Sequence, residues 1–148
     1  MICKMTVFDK AKFHYDGDFP QNLPIEQAYV HTGLYLGWII ENKLYSKDFF
    51  NDFQQDIDLF LKKQVTGTEI YEKCDGVFAS DMLNKLGNQF TEEYFDFSEG
   101  AYLEDYEEVF PEIDTLYEVK DTWENYEKLK LVINERYEGW KSVNDLDS

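Results

Sequence analysis

The sequence is poor in the residues on which many catalytic and metal sites depend. Among its 148 residues are only two histidines and two cysteines, so a histidine-rich metal site is excluded. The sequence also lacks a phosphate-binding GxxxxGKS/T loop, a GxGxxG dinucleotide fingerprint, a GxSxG elbow and an HExxH zinc motif. These absences predict a protein that is not an enzyme and that carries no cofactor.

The two cysteines are the remaining candidates for a nucleophile. Cys3 or Cys74 would have to pair with His14 or His31, but an isolated cysteine is more often a small buried apolar residue. The two cysteines lie far apart in the sequence and lack CxxC spacing. We therefore expect two free thiols in a reducing compartment.

Long apolar segments are also missing. No segment approaches the roughly 18 apolar residues that are needed to cross a bilayer. Residues 1–12 do not show the basic and then apolar layout of a signal peptide. The expected location is the cytoplasm.

Positive charge is scarce. The chain has 14 Lys and Arg against 31 Asp and Glu, which gives a formal net charge of −17. Nucleic acids and anionic membranes would be repelled, so the expected partner is a basic or neutral molecule. The excess is concentrated in residues 64–148, which carry 22 acidic and 7 basic residues, whereas residues 1–63 carry 9 and 7.

What the sequence has in abundance is material for a core. Hydrophobic residues make up 43% of the chain and aromatic residues 18%, and 148 residues is an ordinary size for one domain. No linker or internal repeat divides the sequence. We expect a single domain over residues 1–148, with residues 144–148 as a flexible tail.

Apolar periodicity predicts a mainly α fold, a compact domain of about five to seven helices with at most one short β element. Gly33 and Gly37 in the first helix should mark a close approach by another segment, since glycine is unfavourable inside a helix. Ser46 is a candidate N-cap of the second helix, and Asp121 or Thr122 of the last. The predicted helices cover 24–43, 46–63, 69–74, 80–86, 90–96, 101–110 and a segment from 121, with an ordered loop at 13–20 and a short strand at 115–119.

Four polar residues near the first helix form a candidate cluster. His14, Asp16, Asp18 and His31 supply two imidazoles and two carboxylates, which can bind a metal or act as acid and base. A structural role is the stronger interpretation, since a loop beside a buried helix needs polar groups for its backbone donors. The alternative is a metal-dependent or acid/base enzyme that uses these four residues.

The most specific feature of the sequence is an acidic stretch. Between Lys85 and Lys120 there is no Lys or Arg, and eleven carboxylates are interleaved with aromatic residues of the kind favoured at binding surfaces. The alternative interpretation of this stretch is a solvated face that only maintains solubility. The predicted partner-binding residues are Glu92, Glu93, Asp96, Glu99, Tyr102, Glu104, Asp105, Glu107, Glu108, Glu112 and Asp114.

Several short motifs resemble those of a known group of proteins. FHYDGDFP at 13–20, LP at 23–24 and HTGLYLGW at 31–38 are followed by DMLN at 81–84, YEEVF at 106–110 and DTWENY at 121–126. Together they resemble a family of small bacterial cytosolic proteins of the HYxGDFP…HxGxxLxW type. That family looks like the immunity proteins of polymorphic or contact-dependent toxin systems, and the resemblance implies no catalytic role.

These observations lead to one hypothesis and its alternatives. The leading hypothesis is an immunity protein that binds and neutralises a cognate basic toxin, for instance a nuclease, through the acidic and aromatic stretch. An acidic adaptor with another partner is an alternative, as is the enzyme described above. The sequence leaves the oligomeric state open.

Overall fold

A computed structural model describes residues 5–146 of the chain. The mainly helical prediction is confirmed, and these residues contain eight α-helices. The predicted second helix is divided in two, a short helix at 11–15 was not predicted, and the segment predicted as a helix at 80–86 is α-helical only from Lys85. The α-helices are α1 (Ala11–Tyr15), α2 (Val30–Glu41), α3 (Lys47–Asp52), α4 (Gln54–Leu61), α5 (Gly67–Lys73), α6 (Lys85–Tyr94), α7 (Tyr102–Val109) and α8 (Trp123–Val143). Short 3-10 helices cover Ile25–Tyr29, Ser80–Met82 and Leu116–Glu118.

Helix α2 is the central element of the core. All of its residues from Val30 to Ile40 are buried, and Trp38 and Ile39 are fully enclosed. A helix without a polar face is stable only when other elements surround it. Here α4, α5, α8 and the 3-10 helix Ile25–Tyr29 pack around it.

The predicted close approach at the glycines of α2 is confirmed. A Cβ atom built on Gly33 would lie 2.4 Å from the Cα of Thr68, and one built on Gly67 would lie 2.3 Å from the carbonyl oxygen of Gly33. The first turn of α5 therefore contacts the backbone of α2 directly. Thr66 begins α5 with a capping box that it completes with Glu69.

Side-chain caps set the start of two other helices as expected. The hydroxyl of Ser46 accepts a hydrogen bond from the amide of Phe49 at the start of α3, and that of Thr122 accepts one from Asn125 at the start of α8. Phe53, with φ of −125°, separates α3 from α4 and breaks what the sequence pattern predicted as one helix.

The β structure is elsewhere than predicted. Residues 115–119 do not form a strand, because the Thr115 hydroxyl accepts a hydrogen bond from the amide of Tyr117 and the chain turns into a 3-10 helix. Instead, β1 (Val7–Lys10) and β2 (Val77–Ala79) pair as an antiparallel two-stranded sheet. The 3-10 helix Ser80–Met82 occupies the start of the region assigned to a helix at 80–86, and α6 begins only at Lys85. The predicted loop at 13–20 begins inside α1.

Helix α8 closes the fold on one side. Tyr126, Leu129, Ile133 and Tyr137 form its buried face, and the helix packs against α2 and α7. The predicted tail begins after α8, and residues 147–148 lie outside the described residues, as does Cys3. Among residues 5–146, no helix combines the length and apolar character that crossing a membrane requires.

The contact between α2 and α5 predicts how individual glycines respond to alanine. We expect Gly33→Ala and Gly67→Ala to lower the free energy of unfolding by about 1–3 kcal/mol or more, since the added methyl group meets backbone atoms. Gly139 on α8 is the matched control because nothing lies within 4 Å of its Cβ position. Gly139→Ala should stabilise the protein by about 0.5–1 kcal/mol. Urea denaturation measures all three, and equal effects would contradict the proposed close contact.

Candidate functional site

A buried cluster of one carboxylate and two imidazoles lies where β1, α1 and α2 meet. Asp9 is 3% exposed and His31 is fully buried, whereas the His14 side chain is 14% exposed. His14 Nε2 lies 2.8 Å from Asp9 Oδ1. His31 Nε2 lies 3.2 Å from His14 Nε2 and 3.4 Å from Asp9 Oδ2. One ligand atom from each residue therefore falls within a single small volume, and the three can hold a metal ion.

Local structure brings these side chains inward. The ladder between β1 and β2 is irregular between Val7 and Asp9, and such irregularities redirect side chains. The amide of Ala11 donates to the carbonyl of Gly76, which fixes α1 against β2 and directs His14 inward. His31 occupies the second position of the buried helix α2.

Neighbouring polar groups orient the cluster. The Thr32 hydroxyl donates to Asp9 Oδ2 at 2.6 Å, and His14 Nδ1 lies 2.7 Å from the hydroxyl of Tyr117. Because an ionised carboxylate only accepts hydrogen bonds, His14 donates to Asp9 through Nε2. His31 Nδ1 is buried without a hydrogen-bond partner among the described residues.

Burial and hydrogen bonding set the charge of the cluster. Burial alone raises the pKa of the Asp9 carboxyl, but the hydrogen bonds to His14 and His31 outweigh it and hold the pKa well below its usual range. Burial lowers the pKa of His31, because desolvation disfavours the charged imidazolium more than the nearby Asp9 favours it. Near neutral pH, Asp9 is therefore ionised and His31 is neutral.

The structure assembles only half of the predicted polar cluster. His14 and His31 meet, but Asp16 and Asp18 are exposed after α1, and Asp9 supplies the carboxylate instead. The four side chains named in the enzyme alternative therefore do not converge on one site. Asp9 stands between apolar Phe8 and charged Lys10, and its burial becomes predictable only once that segment is known to be a strand.

Cys74, one of the two candidate nucleophiles, is also poorly placed for chemistry. Cys74 is a free, partly buried thiol at the end of α5. Burial raises its pKa to about 12. Because the thiolate is the reactive form, this cysteine is a weak nucleophile at neutral pH.

Most of the predicted partner-binding residues are exposed, but two are not. Tyr102 is fully buried and donates its hydroxyl to the carbonyl of His31. Asp105 is 1% exposed and accepts two hydrogen bonds from Arg136, at 2.8 and 2.9 Å, and one from Tyr94 at 2.8 Å. Their assignment to a partner surface is wrong, because both side chains hold α7 to the interior. The residues that remain exposed are Glu92, Glu93, Asp96, Glu99, Glu104, Glu107, Glu108, Glu112 and Asp114.

Part of this exposed set surrounds a groove, here called the acidic groove. It has a volume of about 520 Å³. Its lining residues are Glu104, Glu107, Glu108, Phe110, Pro111, Ile113, Asp114, Thr115 and Leu116. Carboxylates thus rim an apolar floor, and no ion pair within residues 5–146 involves Glu104, Glu107 or Glu108.

The other exposed carboxylates are partly used by their own loops and neighbours. Asp96 accepts from the amides of Ser98 and Glu99 in the turn after α6, and Glu93 accepts from the indole of Trp140. Glu112 lines a second groove on the other side of Phe110 and Pro111, where Lys120 and Lys128 are also present. The acidic groove brings together four of the nine exposed carboxylates, Glu104, Glu107, Glu108 and Asp114, without a basic residue in its lining.

Comparison with known proteins gives one match. The model of a family described as Domain of unknown function (DUF7832) matches residues 7–119, which contain the buried cluster and the acidic groove. No curated protein and no solved structure matches the chain.

Removing the carboxylate of Asp105 should destabilise the protein much more than removing that of its neighbour Glu104. Asp105→Ala leaves Tyr94 and Arg136 without their acceptor and should lower the free energy of unfolding by about 2–3 kcal/mol. Glu104→Ala, one residue earlier on the exposed face of α7, should change it by less than about 0.5 kcal/mol. Thermal and urea denaturation would check both. A stable Asp105→Ala protein would contradict the role of these hydrogen bonds in holding α7 to the interior.

Proposed function

This chain belongs to the DUF7832 family, and we propose that it is an immunity protein, which binds a cognate basic protein toxin and neutralises it through the acidic groove. The observation that carries the proposal is the groove itself, with its carboxylate rim and apolar floor. The class of partner follows from the resemblance of the sequence motifs to immunity proteins.

Charge complementarity selects a basic partner. Glu104, Glu107 and Glu108 lie on α7, and Asp114 lines the same groove. With a net charge of −17, the protein repels acidic molecules and attracts basic ones over about 10 Å at moderate salt. A toxin that binds an anionic substrate carries the matching positive surface, which the carboxylates would occupy in place of phosphates.

The apolar floor supplies the part of binding that salt does not weaken. Phe110, Ile113 and Leu116, which are partly buried, and Pro111, which is exposed, line the groove together with the carboxylates. Burying such groups against a partner contributes roughly 25 cal/mol for each Å² removed from water. The carboxylates therefore govern mainly the association rate of the partner, and the apolar floor governs mainly its dissociation rate.

The groove is already ordered without the partner. Tyr102 and Asp105 hold the inner face of α7, while Glu118 accepts hydrogen bonds from the amides of Asp114 and Thr115 in the opposite wall. A binding surface that is rigid beforehand loses less conformational entropy on association. This favours tight, stoichiometric binding of the kind that neutralisation requires.

Charge reversal in the acidic groove tests the proposal. The triple variant Glu104→Lys, Glu107→Lys and Glu108→Lys should slow association with the toxin by about 10- to 1000-fold and abolish protection of cells. The partner is first identified by co-purification of the tagged protein with the products of neighbouring genes. Association rates are then measured at low and high salt, and the wild-type rate should fall as salt rises.

A second triple variant controls for net charge. Asp48→Lys, Asp52→Lys and Asp58→Lys make the same charge change at exposed positions on α3 and α4. It should retain protection and most of the association rate. If both triple variants behave alike, or if the groove variant still protects, the groove is not the contact surface. A tight partner that is not a toxin would favour the adaptor alternative.

A further inference from the structure

We propose that Asp9, His14 and His31 bind one divalent first-row transition-metal ion, with zinc as the first candidate, and that the ion stabilises the junction of β1, α1 and α2. This site is separate from the acidic groove and does not depend on the toxin hypothesis. The two imidazole nitrogens and the carboxylate converge in the interior, from three different elements.

The spacing of the ligand atoms fits such an ion. One ligand atom from each residue lies within 4.8 Å of the other two. The shortest contacts are 2.8 Å between His14 Nε2 and Asp9 Oδ1, 3.2 Å between the two Nε2 atoms, and 3.4 Å between His31 Nε2 and the other carboxylate oxygen, Asp9 Oδ2. Bonds of about 2.0–2.1 Å to a four-coordinate zinc ion place neighbouring ligand atoms about 3.3 Å apart. Only small shifts of the side chains are needed for all three to contact one ion.

Hydrogen bonds alone satisfy the cluster poorly. The Nε2 atoms of His14 and His31 face each other, and His14 already donates its proton to Asp9. His31 is left with a long contact of 3.4 Å to the same carboxylate. A metal ion gives both Nε2 lone pairs one common partner, and the proton of His14 then resides on Nδ1.

The surroundings resemble the outer shell of a metal site. With the His14 proton on Nδ1, this atom donates to the Tyr117 hydroxyl, and the Thr32 hydroxyl donates to Asp9. Such outer partners fix the orientation of the ligands and raise their affinity for metal. The ring of Phe97 lies 6.2 Å from that of His14 and 5.8 Å from that of His31, so the shell on this side is apolar.

The donor set selects the class of metal. Two imidazoles and one carboxylate suit zinc, cobalt, nickel and iron, whereas magnesium and calcium prefer oxygen ligands throughout. His14, the most exposed of the three ligands, provides the route by which an ion reaches the site. Because the ligands come from separate elements, binding the ion is coupled to holding those elements together.

Metal titration of the tag-free protein, stripped with a chelator, tests this proposal. Zinc chloride is titrated into the protein in the presence of excess magnesium, and binding is followed by calorimetry. The magnesium occupies weak sites on the acidic surface. Cobalt is then used as a probe whose visible absorption reports the ligands. We expect one ion for each chain, a higher midpoint of thermal unfolding with zinc, and its reversal by the chelator.

Matched variants separate this site from other metal-binding groups. Asp9→Asn and His14→Ala should lower the affinity for zinc by at least about 100-fold, and Tyr117→Phe by about 10- to 100-fold. Asp16→Asn and the double variant Cys3→Ser with Cys74→Ser should bind as the wild type does. Near-ultraviolet circular dichroism checks that each variant is folded.

Two results would overturn the proposal. One is the absence of stoichiometric zinc binding by the folded wild-type protein. The other is zinc affinity that survives Asp9→Asn and His14→Ala but is lost in the double cysteine variant, which would assign binding to the thiols. Failure of either kind leaves the charge-reversal test of the acidic groove unaffected.

Discussion

A carboxylate buried between two imidazoles is the constraint on which the arrangement of this domain depends. An ionised group inside a protein is strongly unfavourable unless other groups compensate it, and Asp9 is compensated by His14, His31 and Thr32. These partners lie on α1 and α2, so the short sheet and both helices must hold their positions together. Tyr117 extends the network into the acidic stretch.

The same network places the proposed binding surface. The carbonyl of His31 accepts the hydroxyl of Tyr102 on α7, and the side chain of Gln27 donates to the carbonyls of Tyr117 and Val119. Both walls of the acidic groove are thereby tied to the start of α2. The buried polar network thus determines the positions of the exposed carboxylates of the acidic groove, although no residue belongs to both.

Much of the fold was predictable from local sequence patterns, because caps and apolar periodicity are local properties. The Ser46 and Thr122 caps, the glycine contact of α2 and the course of α7 were recognised in this way. The candidate site was predictable only in part. Asp9 belongs to a strand whose partner is some 70 residues away, and nothing in its own neighbourhood marks it as buried. Asp105 has the same appearance as Glu104 in the sequence, and only the position of Arg136 on α8 distinguishes them.

The two faces of helix α7 have different roles. Its inward residues, Tyr102 and Asp105, are committed to hydrogen bonds with α2, α6 and α8, while its outward carboxylates make no ion pair within the described chain. Replacing an outward residue therefore leaves the interior intact. The outward face of α7 can therefore change its charge and shape by exchange of a few side chains, while the hydrogen bonds that hold the helix in place stay the same.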